Sequence, residues 1–562
     1  MKTLATRRAW AWLPVLAMLL AAAPLAARAQ QNANQVALIT LSSYDEIKSD
    51  VSFIGRLGGQ PMLAEQMEGM LAFLTGGQGL AGLDKTKPIG VAIYLQDGQP
   101  VPKAYIPVED MDALITLMGN WGVMAEEGEG GVTELVTPGQ TLYAMESNGW
   151  AVISMTPEAV QGGTQGAEQL INTVAQTYDL AARFYMQNIP ADTRQMYVQQ
   201  LREGMEQGLV QNPDETEQEF ELRKKMTQAQ VDQFVQLLQD TEELSFGWSL
   251  DSREERTFLD FQMTAVPGTK MARQIEAYRD LTTDYAGFYQ PDAAATFTFA
   301  AEMTPEDVNE ASQMFDGLRT QIMQQIEQEA DLPDEESEEI VKAAVGDFFD
   351  AFVATVKDGK LDGGAVLNMS PDGVTFVAGG RVTDPAKVES GLKKLAELAE
   401  KEPEFPGISW NADRHGDVSF HTMSVPVPEH EAEARQLLGE TMEVAIGTGG
   451  NSVYFAGGKN AVQRTKEIID ASKANTGKQV PPMELTISLG QILTTVAEVD
   501  PNPVVTKVAD MLQNEAQGRD HIRMMEQITD NGIKVRLELE EGVLRAIGTA
   551  VAESQRAAQG GF

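Results

Sequence analysis

Apolar residues alternate with polar or small ones through GAVLNM (364–369) and VTFVAGGRV (374–382), then recur every three or four positions through TDPAKVESGLKKLAELAE (383–400). Ala365, Leu367 and Met369 alternate with Val366 and Asn368, so one face of a strand can be buried while the other stays wetter. Pro371-Asp372-Gly373 supplies a turn: proline presets φ, the aspartate bonds its neighbouring backbone, and glycine takes a positive φ. Thr383 or Asp384 can cap the helix that follows, with Pro385 just inside it, where a missing N–H costs nothing. Val388, Leu392, Leu395 and Leu398 form one apolar stripe that must lie on the sheet. A lone hairpin and a lone helix are each marginal, so this hairpin–helix unit demands neighbours.

The neighbours are variations on it. VALITL (36–41) predicts a strand and residues 60–75 a helix. GVAIYLQDGQPVPKAYIPV (90–108) predicts a hairpin turning at Asp97-Gly98, followed by a helix over 109–121. After an acidic loop (Glu126, Glu127, Glu129), TLYAMESNGWAVISM (141–155) predicts a hairpin turning at Asn148-Gly149, the strongest short hairpin signal. Thr156-Pro157-Glu158 starts a helix, residues 165–240 are expected to be mostly helical with breaks near Pro190 and Pro213, and 246–266 form a third hairpin before a closing helix from Lys270 to Leu281.

From about Pro291 the order begins again. ATFTFA (295–300) is a strand and 304–330 a long helix; 364–400 matches 90–121, 443–458 matches the Asn148-Gly149 hairpin, and 522–539 matches the third. Gly90 and Gly364 lie 274 residues apart, Gly149 and Asn451 302, Asp179 and Glu484 305, and Gly268 and Gly542 again 274. An offset that grows and then returns describes compensated insertions, one around 401–435 and one around 205–240. The expectation is an α+β fold of antiparallel hairpins covered by helices in two tandem related halves, 30–290 and 291–562, joined near 283–293. The alternative is one large α+β domain whose hairpins merely look alike.

Residues 1–29 change the picture of where the chain works. Lys2, Arg7 and Arg8 precede an apolar run from Ala9 to about Ala23, and Ala27-Arg28-Ala29 is an A-x-A site, so a signal peptide cleaved between Ala29 and Gln30 is expected. Arg7-Arg8 lacks the wider twin-arginine pattern, which favours general secretion. The absence of cysteine excludes disulfides and thiol chemistry. No later apolar run is long enough to span a bilayer, so a periplasmic or extracellular address is expected, with no transmembrane segment after signal removal. Four of the 43 basic residues lie in the signal and none of the 83 acidic ones, leaving residues 30–562 with 39 basic groups and a formal net charge of −44. Such a surface repels nucleic acid.

Candidate chemistry narrows little further. Gly77-Gln78-Gly79-Leu80-Ala81-Gly82 satisfies G-x-G-x-x-G, but a helix precedes it and Pro88 follows soon after, where a dinucleotide fold needs a strand before and a helix after. Gly457-Gly458-Lys459 opens a helix without the remaining P-loop residues. Ser390 and Lys393 fit S-x-x-K without companion elements. His415, His421, His430 and His521 show no ligand spacing and are expected at the surface; His415 and His421 share a strand face only if Gly416-Asp417 does not turn. Glu254-Glu255 and Glu540-Glu541 are adjacent in sequence, which gives no acid–base geometry. Met67, Met70, Met111, Met118, Met186, Met196 and Met205 fall on predicted helices, suiting adaptable cores or apolar binding surfaces.

In organisation, these repeated units resemble exported bacterial proteins built of hairpin–helix modules, a group without an assigned activity. The resemblance implies export and a non-enzymatic role. The leading expectation is thus a non-catalytic envelope or periplasmic protein with an interaction or structural role, without catalytic, cofactor or metal residues, whose partner is a protein or an apolar ligand. The alternatives are a carrier of lipid or another apolar molecule, with a cavity lined by residues such as Met111, Leu114, Leu117 and Met118, and a carboxylate-based hydrolase with a cleft of raised-pKa acids.

Overall fold

Turn chemistry lays out the strands. Asp97-Gly98 and Asn148-Gly149 hold positive φ at both central positions, 52° and 75° in the first and 55° and 74° in the second. That is the two-residue turn whose twist matches a pair of antiparallel strands. The computed structural model describes residues 34–559 except 165, 213–214, 330–333, 371–372, 501 and 517; the signal peptide expected over 1–29, Pro213 and the turn expected at Pro371-Asp372 lie outside the described residues. Two compact units emerge, Met1–Met271 and Ala272–Phe562.

In the first unit, strands β1 (Asn34–Leu41), β2 (Ile89–Gln96), β3 (Gln99–Pro107), β4 (Met124–Glu127), β5 (Thr133–Val136), β6 (Thr141–Ser147), β7 (Trp150–Ser154), β8 (Leu180–Tyr185), β9 (Thr241–Asp251) and β10 (Arg256–Ala265) are all antiparallel to their neighbours. Pairing runs β4-β5-β6-β7-β3-β2-β1-β8-β9-β10. Helices α1 (Tyr44–Leu57) and α2 (Leu63–Leu74) follow β1, α3 (Met111–Gly119) follows β3, α4 (Pro157–Gln161) and α5 (Ala167–Ala175) follow β7, and α6 (Ala191–Gly208) and α7 (Glu217–Asp240) follow β8. Asp110 caps α3 by accepting from Ala113 N, and Thr156 caps α4 by accepting from Ala159 N. One sheet face packs with α4 and α5 around Leu38, Ala92, Tyr105, Trp150, Val152, Val160 and Ile171. Each large apolar side chain buried there contributes about 1.5–3 kcal/mol.

The division between units falls within α8 (Lys270–Ala277). In the second unit a short pair, β11 (Thr282–Thr283) with β19 (Lys478–Gln479), stands beside a larger sheet. That sheet contains β12 (Ala295–Glu302), β13 (Lys360–Ser370), β14 (Gly373–Arg381), β15 (Ser409–His415), β16 (Val418–Pro426), β17 (Thr441–Gly449), β18 (Ser452–Gly458), β20 (Met483–Ser488), β21 (His521–Ile528) and β22 (Gly532–Glu540). Pairing runs β15-β16-β17-β18-β14-β13-β12-β20-β21-β22. Its helices are α9 (Pro305–Glu329), α10 (Glu335–Asp358), α11 (Pro385–Ala399), α12 (Ala432–Leu438), α13 (Ala461–Ala474), α14 (Leu489–Val499), α15 (Pro503–Met511) and α16 (Glu541–Gln559). Asp384 caps α11 with Pro385 in its first turn. Tyr285 and Phe288, within the 283–293 stretch, join Phe420, Tyr454, Ile468 and Ile469 in the core.

The protein is therefore α+β, and the two strand orders coincide position for position. Register coincides as well: Thr40 of β1 faces Gly90 of β2, and Thr298 of β12 faces Gly364 of β13, the two glycines whose separation is 274 residues. Three local expectations need correction. Residues 165–240 are interrupted by β8, where Leu180-Ala181-Ala182-Arg183 lacks alternation; the segment extends because β1 and β9 bond it on both sides. The acidic loop contains strand β4, with Glu126 opposite Glu134 of β5. A helix the pattern did not announce, α1, follows β1, capped by Ser43.

Candidate functional site

Strand alternation gives each sheet a second apolar face. In the first unit one cross-strand row reads Phe261, Phe246, Ala182, Ile39, Val91, Ala104, Ile153 and Ala144. Helix α3 covers only its far end, where Leu114, Met111 and Met118 pack on Val91, Ala104, Ala144 and Ile153. Towards β1, β8, β9 and β10 the face is uncovered: Leu41, Leu180, Phe184, Phe246, Leu259 and Phe261 are between 36% and 51% exposed. The Phe246 and Phe261 rings lie 4.9 Å apart. The corresponding row of the second unit reads Leu537, Met524, Leu485, Phe297, Ala365, Ala378, Phe455, Ile446 and His421. There Phe297, Phe376 and Phe455 are exposed. Scattered surface apolar residues need no explanation, but a contiguous apolar patch is a candidate interaction surface.

The cavity expected around Met111, Leu114, Leu117 and Met118 is not formed by them: Leu114 and Leu117 are buried, and Met111 and Met118 are packed against the core. Helix α3 is spent on covering the sheet. A cleft of about 620 Å³ does occur in the first unit, between the first turns of α6, the last turns of α7 and the 186–188 turn, with Met186 in its lining.

Three polar clusters have distinct jobs. Asp347 of α10 is buried, accepts from Ser390 Oγ (2.7 Å) and pairs with Lys387 (3.1 Å) and Lys394 of α11. Lys394, ahead of the cost of burial, holds its carboxyl well below the usual range. Ser390 is thus consumed by a helix–helix clip, while Lys393 pairs with Glu389, so S-x-x-K assembles no nucleophile. Gly391 lets the helices approach: a Cβ there would sit 2.8 Å from the Phe348 ring and 3.0 Å from Ala344 O.

His421 corrects the surface expectation, being 2% exposed. Its Nδ1 accepts from Asn411 N (3.2 Å), which places the proton on Nε2, 3.1 Å from Thr448 Oγ1; that hydroxyl donates to Glu389 Oε2 (3.3 Å). Burial, only partly offset by Glu389, pushes its pKa down. In this tautomer His421 donates towards Thr448 and cannot take its proton. A small hollow beside it is lined by Leu392, Trp410, Val444 and Ile446. His415 is separated from His421 by the β15–β16 turn and meets Asp470 (2.6 Å). His430 is exposed, and His521 pairs with Glu540 (3.0 Å).

Asp50 of α1 is 4% exposed, and its Oδ1 has no hydrogen-bond partner. Burial, reinforced by Asp179, Glu46 and Asp251, pushes its pKa up to about 8. It is shut away from any substrate. Among the described residues no group of three or more His, Asp or Glu side chains could hold a metal ion.

The remaining motifs resolve as backbone features. Gly82 O accepts from Glu109 N (2.9 Å), so the glycine loop after α2 braces the start of α3. Lys459 N donates to Val374 O (3.0 Å), leaving that N–H unavailable to a phosphate. Glu254 and Glu255 lie in the β9–β10 turn, and Glu541 is buried between Arg519 and Arg545. No helix among the described residues is long and apolar enough to cross a membrane. Comparison with protein-family models, with curated proteins and with solved structures returns no match.

Proposed function

We propose that this is a non-catalytic, exported binding protein of the envelope or periplasm that holds a protein partner against the uncovered aromatic face of its sheet. The observation that carries the reading is the contiguous patch formed by Leu41, Leu180, Phe184, Phe246, Leu259 and Phe261 on four neighbouring strands. Aromatic residues supply large contact area at low entropic cost and dominate interface energetics. The polar clusters fit a non-catalytic role: Asp347 clips two helices, His421 serves a buried network, and Asp50 is closed to solvent. The shared strand order and the Thr40–Gly90 and Thr298–Gly364 pairings support reading the units as tandem related halves, each with its own binding face.

The test is photo-crosslinking in producing cells with a benzophenone amino acid at position 261, with position 158 on the far side of α4 as reference. The expected result is a discrete polypeptide adduct at 261 and none at 158. An acyl-chain adduct would favour the carrier, and no adduct at 261 would overturn the reading. N-terminal sequencing of the same product tests the address, with Gln30 expected as the first residue.

A further inference from the structure

The cleft between α6 and α7 lies in the first unit and belongs to none of the cores described above. At about 620 Å³ it falls within the range that encloses a small organic ligand. Ile189, Val198, Leu201, Phe234 and Leu238 make it apolar. It is open, with Tyr197 and Phe234 about half exposed at its mouth.

One cation breaks this lining. Arg194 Nη1 donates to Gln187 Oε1 at 2.8 Å, and the Gln187 amide is itself fixed by Gln239 O (3.2 Å) and Thr241 O (2.7 Å). The guanidinium is therefore aimed by a chain of bonds anchored at the α7–β9 junction. Yet Arg194 Nε is buried with no hydrogen-bond partner, and no carboxylate among the described residues forms an ion pair with it. In a chain with 83 acidic and 43 basic residues, an arginine held at an apolar cleft without a carboxylate of the protein can receive an anionic group from a ligand. A ligand cannot reach the buried Nε, but the Nη groups of a planar guanidinium also match a carboxylate. Asp192, the other charge of the lining, sits in the first turn of α6 and is exposed.

We propose that this cleft binds a single-chain amphiphile with a carboxylate head, the head on Arg194 and the aliphatic chain along Val198, Leu201, Phe234 and Leu238. The site stands independently of the sheet face, and its ligand class is a long-chain monocarboxylic acid.

The test is calorimetric titration of residues 30–562 with hexadecanoate below its micelle concentration, with hexadecanol as the uncharged comparator. The expected result is one site in which hexadecanoate binds at least tenfold more tightly than hexadecanol. Arg194→Gln should erase that preference while leaving hexadecanol affinity within twofold. Phe234→Asp should weaken both ligands. The comparison of the two ligands on the unaltered protein needs no variant to fold. Equal affinities, no binding, or a preference that survives Arg194→Gln would overturn the proposal. A concentration-dependent dimer abolished by Phe234→Asp, without amphiphile binding, would assign the cleft to a second copy and overturn it too.

Discussion

Asp50→Asn isolates the cost of burying an acid inside the first unit. The folded environment raises the Asp50 pKa to about 8, against an ordinary value near ~3.9 in an unfolded chain. Between those values the folded state binds a proton that the unfolded state has lost, so stability falls as pH rises through the window and levels off above it. At ~1.36 kcal/mol per pH unit, the cost reaches roughly 4 kcal/mol at pH 7 and about 1 kcal/mol at pH 4.5. Asparagine has the same shape and no proton to hold. It carries its own amide desolvation, about 1–3 kcal/mol, but that cost does not vary with pH. The prediction therefore concerns a slope: the stability difference between Asp50→Asn and the parent should move in favour of the variant by roughly 3–5 kcal/mol from pH 4.5 to 8.

Urea unfolding followed by tryptophan fluorescence reads this out. Residues 30–562 hold Trp121, Trp150 and Trp248 in the first unit and Trp410 in the second, so a Trp410→Phe background confines the signal to the unit that contains Asp50. A two-unit chain need not unfold in one step, and this background removes that ambiguity. A variant that tracks the parent in parallel from pH 4.5 to 8 would refute the reasoning, because the carboxyl would then titrate alike in folded and unfolded chains.

Asp347→Ala strands the α10–α11 clip; because Lys387 and Lys394 keep access to water, a loss of about 2 kcal/mol is expected by urea unfolding, below the ~3–5 kcal/mol of a fully buried pair. Gly391→Ala sets a helix-propensity gain of about 1 kcal/mol against overpacking on Phe348 and Ala344 of about 1–3 kcal/mol, so net destabilisation is expected in the same assay. The hydrogen bond that the His521 ring donates to the Glu540 carboxylate raises the pKa of His521. Its contribution should be full below about pH 6.5 and fade as pH rises through the raised value, and His521→Gln should abolish that dependence in stability–pH curves. Phe184→Ser with Phe246→Ser should cost about 2–3 kcal/mol, roughly half the value of two fully buried rings, since both are part-exposed, while removing the adduct expected at position 261.

Much of the architecture was legible because it rests on local chemistry. The Asp97-Gly98 and Asn148-Gly149 turns, the Asp384-Pro385 start of α11 and the strand alternation each depend on residues a few positions apart. The 274-residue offset between Gly90 and Gly364 puts the two glycines at the same place in the register of two separate strand pairs. Strand β8 was hidden because its conformation comes from β1 and β9, which lie far away in sequence.

The sites were legible only in part, for the same reason. Nothing local distinguishes the buried His421 from the exposed His430; the difference is made by β17 supplying Thr448 and α11 supplying Glu389. Arg194 sits in an ordinary polar helix pattern, and its guanidinium is held at the cleft by Gln187, which is pinned from the end of α7. The aromatic face is the instructive case. Its alternation is plain in FGWSL and RTFLDFQMTAV, and from sequence such residues read as core. What cannot be read is whether a helix arrives to cover them. Helix α3 covers the end of the sheet carrying Ile153 and Ala144, whereas over β8, β9 and β10 the same row continues uncovered to Phe246 and Phe261. An uncovered apolar face of this kind is written in the alphabet of a core and becomes visible only where the covering layer stops.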